Sequence, residues 1–289
     1  MFTDDQLIRL VVSFFAGAGV VVLVTMLADL YGEGPAGFIG GLPTAGAVSL
    51  LSIGLTQSTS AAVQATTLFP LGFSSTFAFL LFYALPDKLP FRVRMPIALG
   101  LWFPLCVAIA AWAPDDFGLS VSAGIVVSVA VLLMRRRVVT VRTGLANSKP
   151  SAQLTILRGA LGGCVVTSVV ILSIVSGPQV GGVFAAAPAI WSSSLYVTSR
   201  TRGVEFSRSL TWTFMQTGIL TVIPYAVAAR YFFSGFGVWL GTLFSYVAIS
   251  PLAYLAWRLA GAQRDVTDRP KQEVRRRRPD GVLPRQIGN

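Results

Sequence analysis

Histidine is absent from the 289 residues, and the chain has only two cysteines. Histidine is the commonest metal ligand and the side chain that titrates nearest neutral pH, so its absence argues against most metal and acid–base chemistry. Cys106 and Cys164 both lie inside apolar runs, where a structural disulfide is not expected. No P-loop, GxSxG, HExxH or dinucleotide fingerprint occurs. We therefore predict that the protein is not an enzyme and needs no metal or cofactor.

Charge is also scarce. Charged residues make up 12% of the chain and hydrophobic residues 54%, against about 25% charged residues in an ordinary soluble domain. Apolar runs of about 18 residues or more, the length that crosses a bilayer, recur along most of the sequence. The composition predicts a multi-pass membrane protein.

Proline, glycine and charge clusters divide the apolar sequence into nine segments. They lie near 6–30, 35–56, 60–85, 92–113, 117–134, 153–176, 178–198, 205–231 and 235–260. The predicted fold is therefore an all-α polytopic membrane protein with about nine transmembrane helices. Whether the Gly- and Pro-rich segment 35–56 spans the membrane or is re-entrant stays open. Residues 262–289 are polar and arginine-rich, and they are predicted to form a disordered tail.

Basic residues cluster in a way that orients these segments. The clusters are Lys88/Arg92/Arg94, Arg135–Arg137 with Arg142 and Lys149, Arg200/Arg202/Arg208, and Arg275–Arg278. Because cytoplasmic loops carry the excess of lysine and arginine, nine helices with the N-terminus outside and the C-terminus inside place every cluster in the cytoplasm. Basic loops there attract anionic lipid, at about 1 kcal/mol per residue, so the net charge of +11 needs no nucleic-acid partner. For Arg275–Arg278, a retention or lipid-contact role and a partner-binding role are both considered.

The sequence resembles itself at a shift of 145 residues. Without a gap, 11 of the 40 positions 17–56 are identical to their counterparts. The identical pairs are 17/162, 20/165, 21/166, 24/169, 27/172, 32/177, 37/182, 43/188, 49/194, 50/195 and 56/201. Since many of these residues are Gly, Pro, Ser or Thr, bulk hydrophobicity does not explain the match. An internal duplication is the prediction.

The duplication predicts the domain plan. Residues 1–113 and 153–261 form two repeats of four helices, joined by a linking helix and basic cytoplasmic loop over 114–152. A single linking helix reverses the orientation of the second repeat, so the repeats are inverted about an axis in the membrane plane, as in many secondary transporters. We expect residues near 10–85 to superpose on those near 155–230 by such a rotation.

Pro43 and Pro188 occupy equivalent positions in the two repeats. Prolines and glycines within apolar segments favour broken helices, which are tolerated at membrane depth only where protein or a water-filled cavity satisfies the backbone. Together with Ser49 and Ser194 they are candidate substrate-binding residues. For Gly181, Gly182 and Ser192–Ser194, close helix packing and lateral dimerisation are the alternatives to a substrate-lining role.

Other polar residues at membrane depth are candidates as well. Gln64 and Thr67 in the third segment, with Thr213 and Gln216 in the eighth, are predicted to line a substrate site. Thr67 and Gln216 are expected to converge on the proline breaks. Glu205 and Arg208, three residues apart on one helix face, are predicted to pair and to gate or couple transport, a role that Asp29 is expected to share in the other repeat.

The stretch 198–233, with Arg202-Gly203-Val204-Glu205, Arg208 and Ile223-Pro224-Tyr225, resembles the GlpM-like family of small inner-membrane proteins. Gly182 and Pro188 add to the resemblance, which covers roughly 155–258. It implies a cell-envelope or exopolysaccharide setting and a duplicated, fused chain, and it brings no transport activity or binding residues. In the first repeat, Gln57-Ser58-Thr59-Ser60 replaces the Arg-Gly-Val-Glu stretch.

The sequence favours a secondary transporter or flippase for a neutral, polar or zwitterionic solute or a lipid-linked envelope precursor. The rival hypothesis is a non-transporting membrane scaffold that recruits envelope-biosynthesis enzymes through its basic tail.

Overall fold

The computed structural model describes residues 3–31, 42–85, 89–134, 152–201 and 203–277, and within these ranges it contains ten helices and no strand. The helices are α1 (Asp4–Tyr31), α2 (Thr44–Thr56), α3 (Thr59–Ala65), α4 (Phe69–Ala84), α5 (Phe91–Trp112), α6 (Phe117–Leu133), α7 (Ala152–Ser176), α8 (Pro178–Ala185), α9 (Ala189–Thr201) and α10 (Val204–Arg277). The predicted all-α class is confirmed.

Several of these helices can cross a bilayer. In the part of the chain that the structure describes, five apolar stretches are long enough, and the bent pair α3–α4 makes a sixth. The apolar part of α10 covers 53 residues, about 80 Å at 1.5 Å per residue, which is more than twice the thickness of the hydrocarbon core. The fold is compatible with a multi-pass membrane protein, whereas the count of nine spans stays a prediction.

Gly237 divides α10 into two arms. Its φ of 75° and ψ of 175° are not helical, and such a positive φ suits glycine because glycine has no Cβ atom. The arms then fold back on one another: the Phe232 and Phe244 rings lie 5.9 Å apart, and the Tyr225 and Tyr246 rings 5.3 Å apart. This hairpin confirms the predicted separation of segments 205–231 and 235–260.

The segment predicted as one helix over 60–85 is two helices, and that prediction is wrong. α3 and α4 meet at an angle of 47° across a break of three residues. Pro70 lacks the N–H group that would bond to the Thr66 carbonyl four residues earlier. Instead, Thr66 donates through its hydroxyl to the Val63 carbonyl at 2.6 Å, which closes the end of α3.

The C-terminal segment differs from the predicted disordered tail over residues 262–277, where α10 continues. Arginine is the commonest residue there, and it has high helix propensity. The predicted cytoplasmic loop over 135–151 and the tail residues 278–289 lie outside the described residues.

α1 and α7 form a tightly packed antiparallel pair. A Cβ atom added to Gly163 would lie 2.7 Å from the Phe14 carbonyl oxygen, and one added to Gly159 would lie 2.8 Å from the Val22 side chain. As the chain advances along α1, its contacts therefore move backwards along α7. Small residues allow such close approach of membrane helices.

The contacts at the centre of this pair are reciprocal. A Cβ atom on Gly17 would lie 3.1 Å from the Gly162 carbonyl oxygen, and one on Gly162 would lie 3.3 Å from the Gly17 carbonyl oxygen. Val166 covers Gly17 in the same way that Val21 covers Gly162. Reciprocity of this kind is the signature of a two-fold relation between the contacting surfaces.

α4 and the first arm of α10 form a second antiparallel pair in the core. A Cβ atom on Gly218 would lie 3.2 Å from the Phe73 ring. Near the C-terminus of α4, the hydroxyls of Tyr83 and Ser207 are hydrogen-bonded at 2.6 Å. The direction of contact again reverses, because a later residue of α4 meets an earlier residue of α10.

Candidate functional site

Two helix starts at proline are built alike. Before α2, the Thr44 N–H donates to the Leu42 carbonyl at 2.8 Å, and before α9 the Ala189 N–H donates to the Ala187 carbonyl at the same distance. The carbonyls of Pro43 and Pro188 then accept the first helical hydrogen bonds, from residues 47 and 192, at 2.8 and 2.7 Å. Each bond at one helix start has its counterpart 145 residues further along the chain.

The break at Pro188 falls inside an apolar stretch long enough to span a membrane. That stretch, Pro178–Arg200, has 23 residues, and α8 ends at Ala185. Eight helical residues rise about 12 Å, so the break lies well inside the hydrocarbon depth if the stretch spans the bilayer. The broken helix predicted for this segment is confirmed.

Both prolines face one cavity of about 30 Å³. A cavity of this volume has room for one or two water molecules. The lining comes from both halves of the chain and consists of Leu42, Pro43, Ala45, Gly46, Phe69, Phe73, Thr76, Ala185, Ala186, Ala187, Pro188, Ile190 and Trp191. None of these described lining residues carries a charge.

Carbonyl groups released by the break form one side of the cavity. Pro188 has no N–H group to complete the α8 ladder, and the Ala186 carbonyl accepts a hydrogen bond from the Thr76 hydroxyl at 2.6 Å. The N–H of Ala189, the helical partner of the Ala185 carbonyl, donates to Ala187 instead. The Ala185 oxygen therefore lacks its helical donor, and it faces the α2 backbone at Gly46.

The N-termini of two helices lie at another side. The N–H groups in the first turn of a helix have no partner within that helix. Pro43 provides no side-chain cap for α2, and a proline at 188 offers none for α9. The first-turn residues Ala45, Gly46 and Ile190 all line the cavity, so both helices begin at its wall.

Aromatic rings close the remaining wall. Phe73 packs edge-on against Trp191 at 5.3 Å, and Trp191 stacks on Phe214 with an interplanar angle of 2°. The cavity thus lies beside two helix N-termini, a carbonyl that has lost its helical donor and aromatic surface, with no charged side chain among its described lining residues. This arrangement suits a small group that both donates and accepts hydrogen bonds, either neutral or zwitterionic.

The predicted site residues separate into those at the cavity and those away from it. Pro43 and Pro188 line the cavity. Ser49 is buried in α2, and its hydroxyl has no hydrogen-bond partner among the described residues. Ser194 is half-buried in α9, where its carbonyl accepts from Thr198. Neither serine is a lining residue.

The polar residues of the third and eighth segments do not converge on the breaks. Thr67 accepts a hydrogen bond from Arg230 at 3.0 Å, at the opposite end of α4 from Tyr83. Gln216 is buried and Thr213 half-buried in α10, and neither lines the cavity. Gln64 is exposed on α3, with its amide 3.5 Å from the Ser60 hydroxyl.

The predicted ion pair between Glu205 and Arg208 is present. The Arg208 guanidinium donates to the Glu205 carboxylate at 2.8 Å, and Arg208 is buried whereas Glu205 is half-exposed. This pair lies away from the cavity, near the C-terminus of α4. Asp29 belongs to α1, but its side chain lies outside the described part of the structure.

Thr76 was missed by reasoning from sequence, although it supplies the side chain that satisfies a freed carbonyl. A signal was available beyond the 40 positions compared, since Thr76 and Thr221 are identical at the same shift of 145, as are Phe69 and Phe214. Trp191, a buried wall of the cavity, was missed as well.

Comparison with protein-family models, with curated proteins and with solved structures finds no match to this chain.

Proposed function

We propose that this chain is a secondary transporter that moves a small neutral or zwitterionic solute across a membrane by alternating access between two inverted repeats. Its N-terminus lies outside and its C-terminus in the cytoplasm, and the basic cytoplasmic face contacts anionic lipid. The substrate binds at the cavity between Pro43 and Pro188.

One observation carries the proposal: two helix starts at proline, with the same backbone hydrogen bonds, line a single cavity. Broken helices at equivalent positions of two repeats mark the binding sites of many transporters, because their ends present unpaired backbone groups to the substrate. A purely structural role would leave the cost of these groups uncompensated, since an unsatisfied polar group in hydrocarbon costs several kcal/mol.

The helix packing supports the inverted relation. α1 and α7 cross in antiparallel fashion with reciprocal contacts at Gly17 and Gly162, which are equivalent at the shift of 145 residues. Phe73 and Gly218, also equivalent, meet where α4 crosses α10. The bounds of α2 shifted by 145 residues coincide with those of α9. All three observations favour a two-fold axis that runs across the helices.

The cavity favours a small solute over a lipid-linked precursor. Its volume of about 30 Å³ admits one hydrogen-bonding group of the solute in this conformation. A carboxylate or hydroxyl fits the N–H groups at the starts of α2 and α9, and an ammonium or amide N–H fits the Ala185 carbonyl. The absence of charge among the described lining residues argues against a solute with net charge.

Flux into proteoliposomes tests the proposal. Radiolabelled glycine, glycine betaine and glycerol serve as probes, and the purified full-length chain should accelerate entry of at least one of them over protein-free vesicles. The Pro188→Ala variant should lose this flux, because an alanine N–H lets α8 and α9 merge into one straight helix.

Pro104→Ala is the matched control, since Pro104 lies inside α5 with its side chain exposed and away from the cavity. It should keep wild-type flux. If the Pro188→Ala variant has the same flux as the wild type, the break at Pro188 is not needed for transport. No flux for any probe would leave the scaffold function as the better explanation.

A further inference from the structure

A cluster of hydrogen bonds, here called the Arg208 clasp, joins α10 to the C-terminus of α4. Nε of Arg208 donates to the carbonyl of Ala84, the last residue of α4, at 2.9 Å. The Tyr83 and Ser207 hydroxyls are 2.6 Å apart beside it. A cation is stabilised at a helix C-terminus, where carbonyl groups point outwards.

A second cluster, the Arg230 clasp, joins α10 to the C-terminus of α3. Nη1 of Arg230 lies 3.2 Å from the Val63 carbonyl, 3.3 Å from the Thr66 hydroxyl and 3.0 Å from the Thr67 hydroxyl. The guanidinium also lies 4.6 Å from the centre of the Phe117 ring. Here too an arginine of α10 caps a helix end in the first half of the chain.

The cavity lies between the two clasps along α10. Gly218, which contacts the cavity residue Phe73, is ten residues after Arg208 and twelve before Arg230. At 1.5 Å per residue these intervals are about 15 and 18 Å. Under the 145-residue shift, Val63 corresponds to Arg208 and Ala84 to Ala229, so each clasp falls within one residue of the position equivalent to the other.

We propose that the Arg208 clasp and the Arg230 clasp are the two gates of the cavity, one towards each face of the membrane. The proposal rests on the transport function proposed above, because alternating access requires one end of the α4–α10 pair to separate while the other stays joined. Each clasp closes through hydrogen bonds from side chains to a helix end, which can break without unfolding either helix.

Thiol labelling from each side of the membrane tests the gates without a transport assay. The reporter is Ala187→Cys, a half-buried residue of the cavity wall, in a Cys164→Ala background, since Cys164 is exposed and Cys106 is buried. A membrane-impermeant methanethiosulfonate reagent is applied to right-side-out and inside-out vesicles.

Arg230→Ala should raise the labelling rate from one side, and Arg208→Ala should raise it from the other. Losing a charge-assisted hydrogen bond should increase the open population about tenfold or more. A Thr66→Val/Thr67→Val double variant should mimic Arg230→Ala while leaving α10 unchanged. Arg9→Ala is the control, since Arg9 also caps a helix end, at Leu55, but bonds only within the first half.

Labelling that rises from the same side in both arginine variants, or equally from both sides, overturns the gate assignment. Unchanged rates in correctly folded variants, judged by a single symmetric elution peak, overturn it as well. Side-specific labelling without flux of any solute would retain the gates and reject the transport proposal. Flux without side-specific labelling would retain the transport proposal and reject the gates.

Discussion

Gly182 lies where α8 crosses the break between α3 and α4, and it offers a sharp test of the packing behind the cavity. A Cβ atom added there would overlap the Ala65 carbonyl oxygen. Gly72 faces α8 at the same crossing, where an added Cβ atom would lie 2.6 Å from the Val183 carbonyl oxygen. Real Cβ atoms do not approach this closely, so an alanine at either position forces the helices apart.

The cost of Gly182→Ala depends on the atoms that its methyl group meets. The obstacle is backbone, which cannot rotate away as a side chain can, so we expect a value within or above the range of about 1–3 kcal/mol for overpacking. Replacing glycine in a helix also contributes about 0.5–1 kcal/mol of stability. The net destabilisation should therefore be roughly 1–3 kcal/mol.

Gly19→Ala is the matched control. Gly19 lies inside α1, is exposed, and has no atom within 4 Å of an added Cβ among the described residues. Only the favourable helix contribution remains, so this variant should be about 0.5–1 kcal/mol more stable than the wild type. Gly182→Ala should then be less stable than the wild type, and Gly19→Ala more stable.

Unfolding in mixed detergent micelles, titrated with a denaturing detergent and followed by tryptophan fluorescence, measures both variants against the wild type. Equal stability of Gly182→Ala and Gly19→Ala would refute the close contact between α8 and the α3–α4 break. The position of the cavity wall formed by residues 185–188 would then depend on other contacts.

Two further predictions concern the ends of α10. Tyr83→Phe and Ser207→Ala should each lower the free energy of unfolding by about 1 kcal/mol. Because the two hydroxyls bond to each other, the double variant should lose clearly less than the sum of the two. Additive losses in the same unfolding assay would contradict the bond. Replacing Arg275–Arg278 with glutamine should leave the melting temperature in detergent unchanged, since these residues have no apolar side chains to bury. A large drop in melting temperature would show that the tail packs against the membrane part.

Helices bounded by strong local signals were predicted well from the sequence. The segment 117–134 corresponds to α6 (Phe117–Leu133) and the segment 92–113 to α5 (Phe91–Trp112). Pro114 and two aspartates separate these helices, and neither proline nor unpaired carboxylates are compatible with continuing an apolar helix there. Proline and charged residues affect the backbone only within a few residues, so helix boundaries of this kind can be detected without tertiary information.

Breaks caused by a single proline were harder to place. Pro188 was recognised because Pro43 matches it in the other repeat, whereas Pro70 has Met215 at the equivalent position and gave no such signal. α10 runs without a break through residue 215, while the first half breaks at 66–68. A proline is tolerated in the first turn of a helix. Pro70 alone therefore did not show where a helix ends and the next begins, and the bend between α3 and α4 was not predicted.

The position of a residue around its helix could not be read from its depth. Counting residues from Glu205 fixes only the height of Gln216 along the helix, about 16 Å for 11 residues. Phe214 and Gly218, four residues apart, share the face of α10 that meets Trp191 and Phe73. Gln216 lies midway between them in sequence, and two residues correspond to about 200° of helical rotation, so it points to another face.

The cavity does not follow the two-fold relation proposed for the α1–α7 and α4–α10 contacts around it. At the proposed equivalent positions 46 and 191, one half has a glycine against which the Phe69 ring packs, and the other has a tryptophan stacked on Phe214. A solute bound between identical walls would have two equivalent orientations, as in a dimer of identical subunits. Unequal walls give it one preferred orientation, because aromatic surface is available on one side and backbone on the other. The proposed duplication would permit this difference, since each half of the chain can change independently while the reciprocal contacts of Gly17 and Gly162 join α1 to α7.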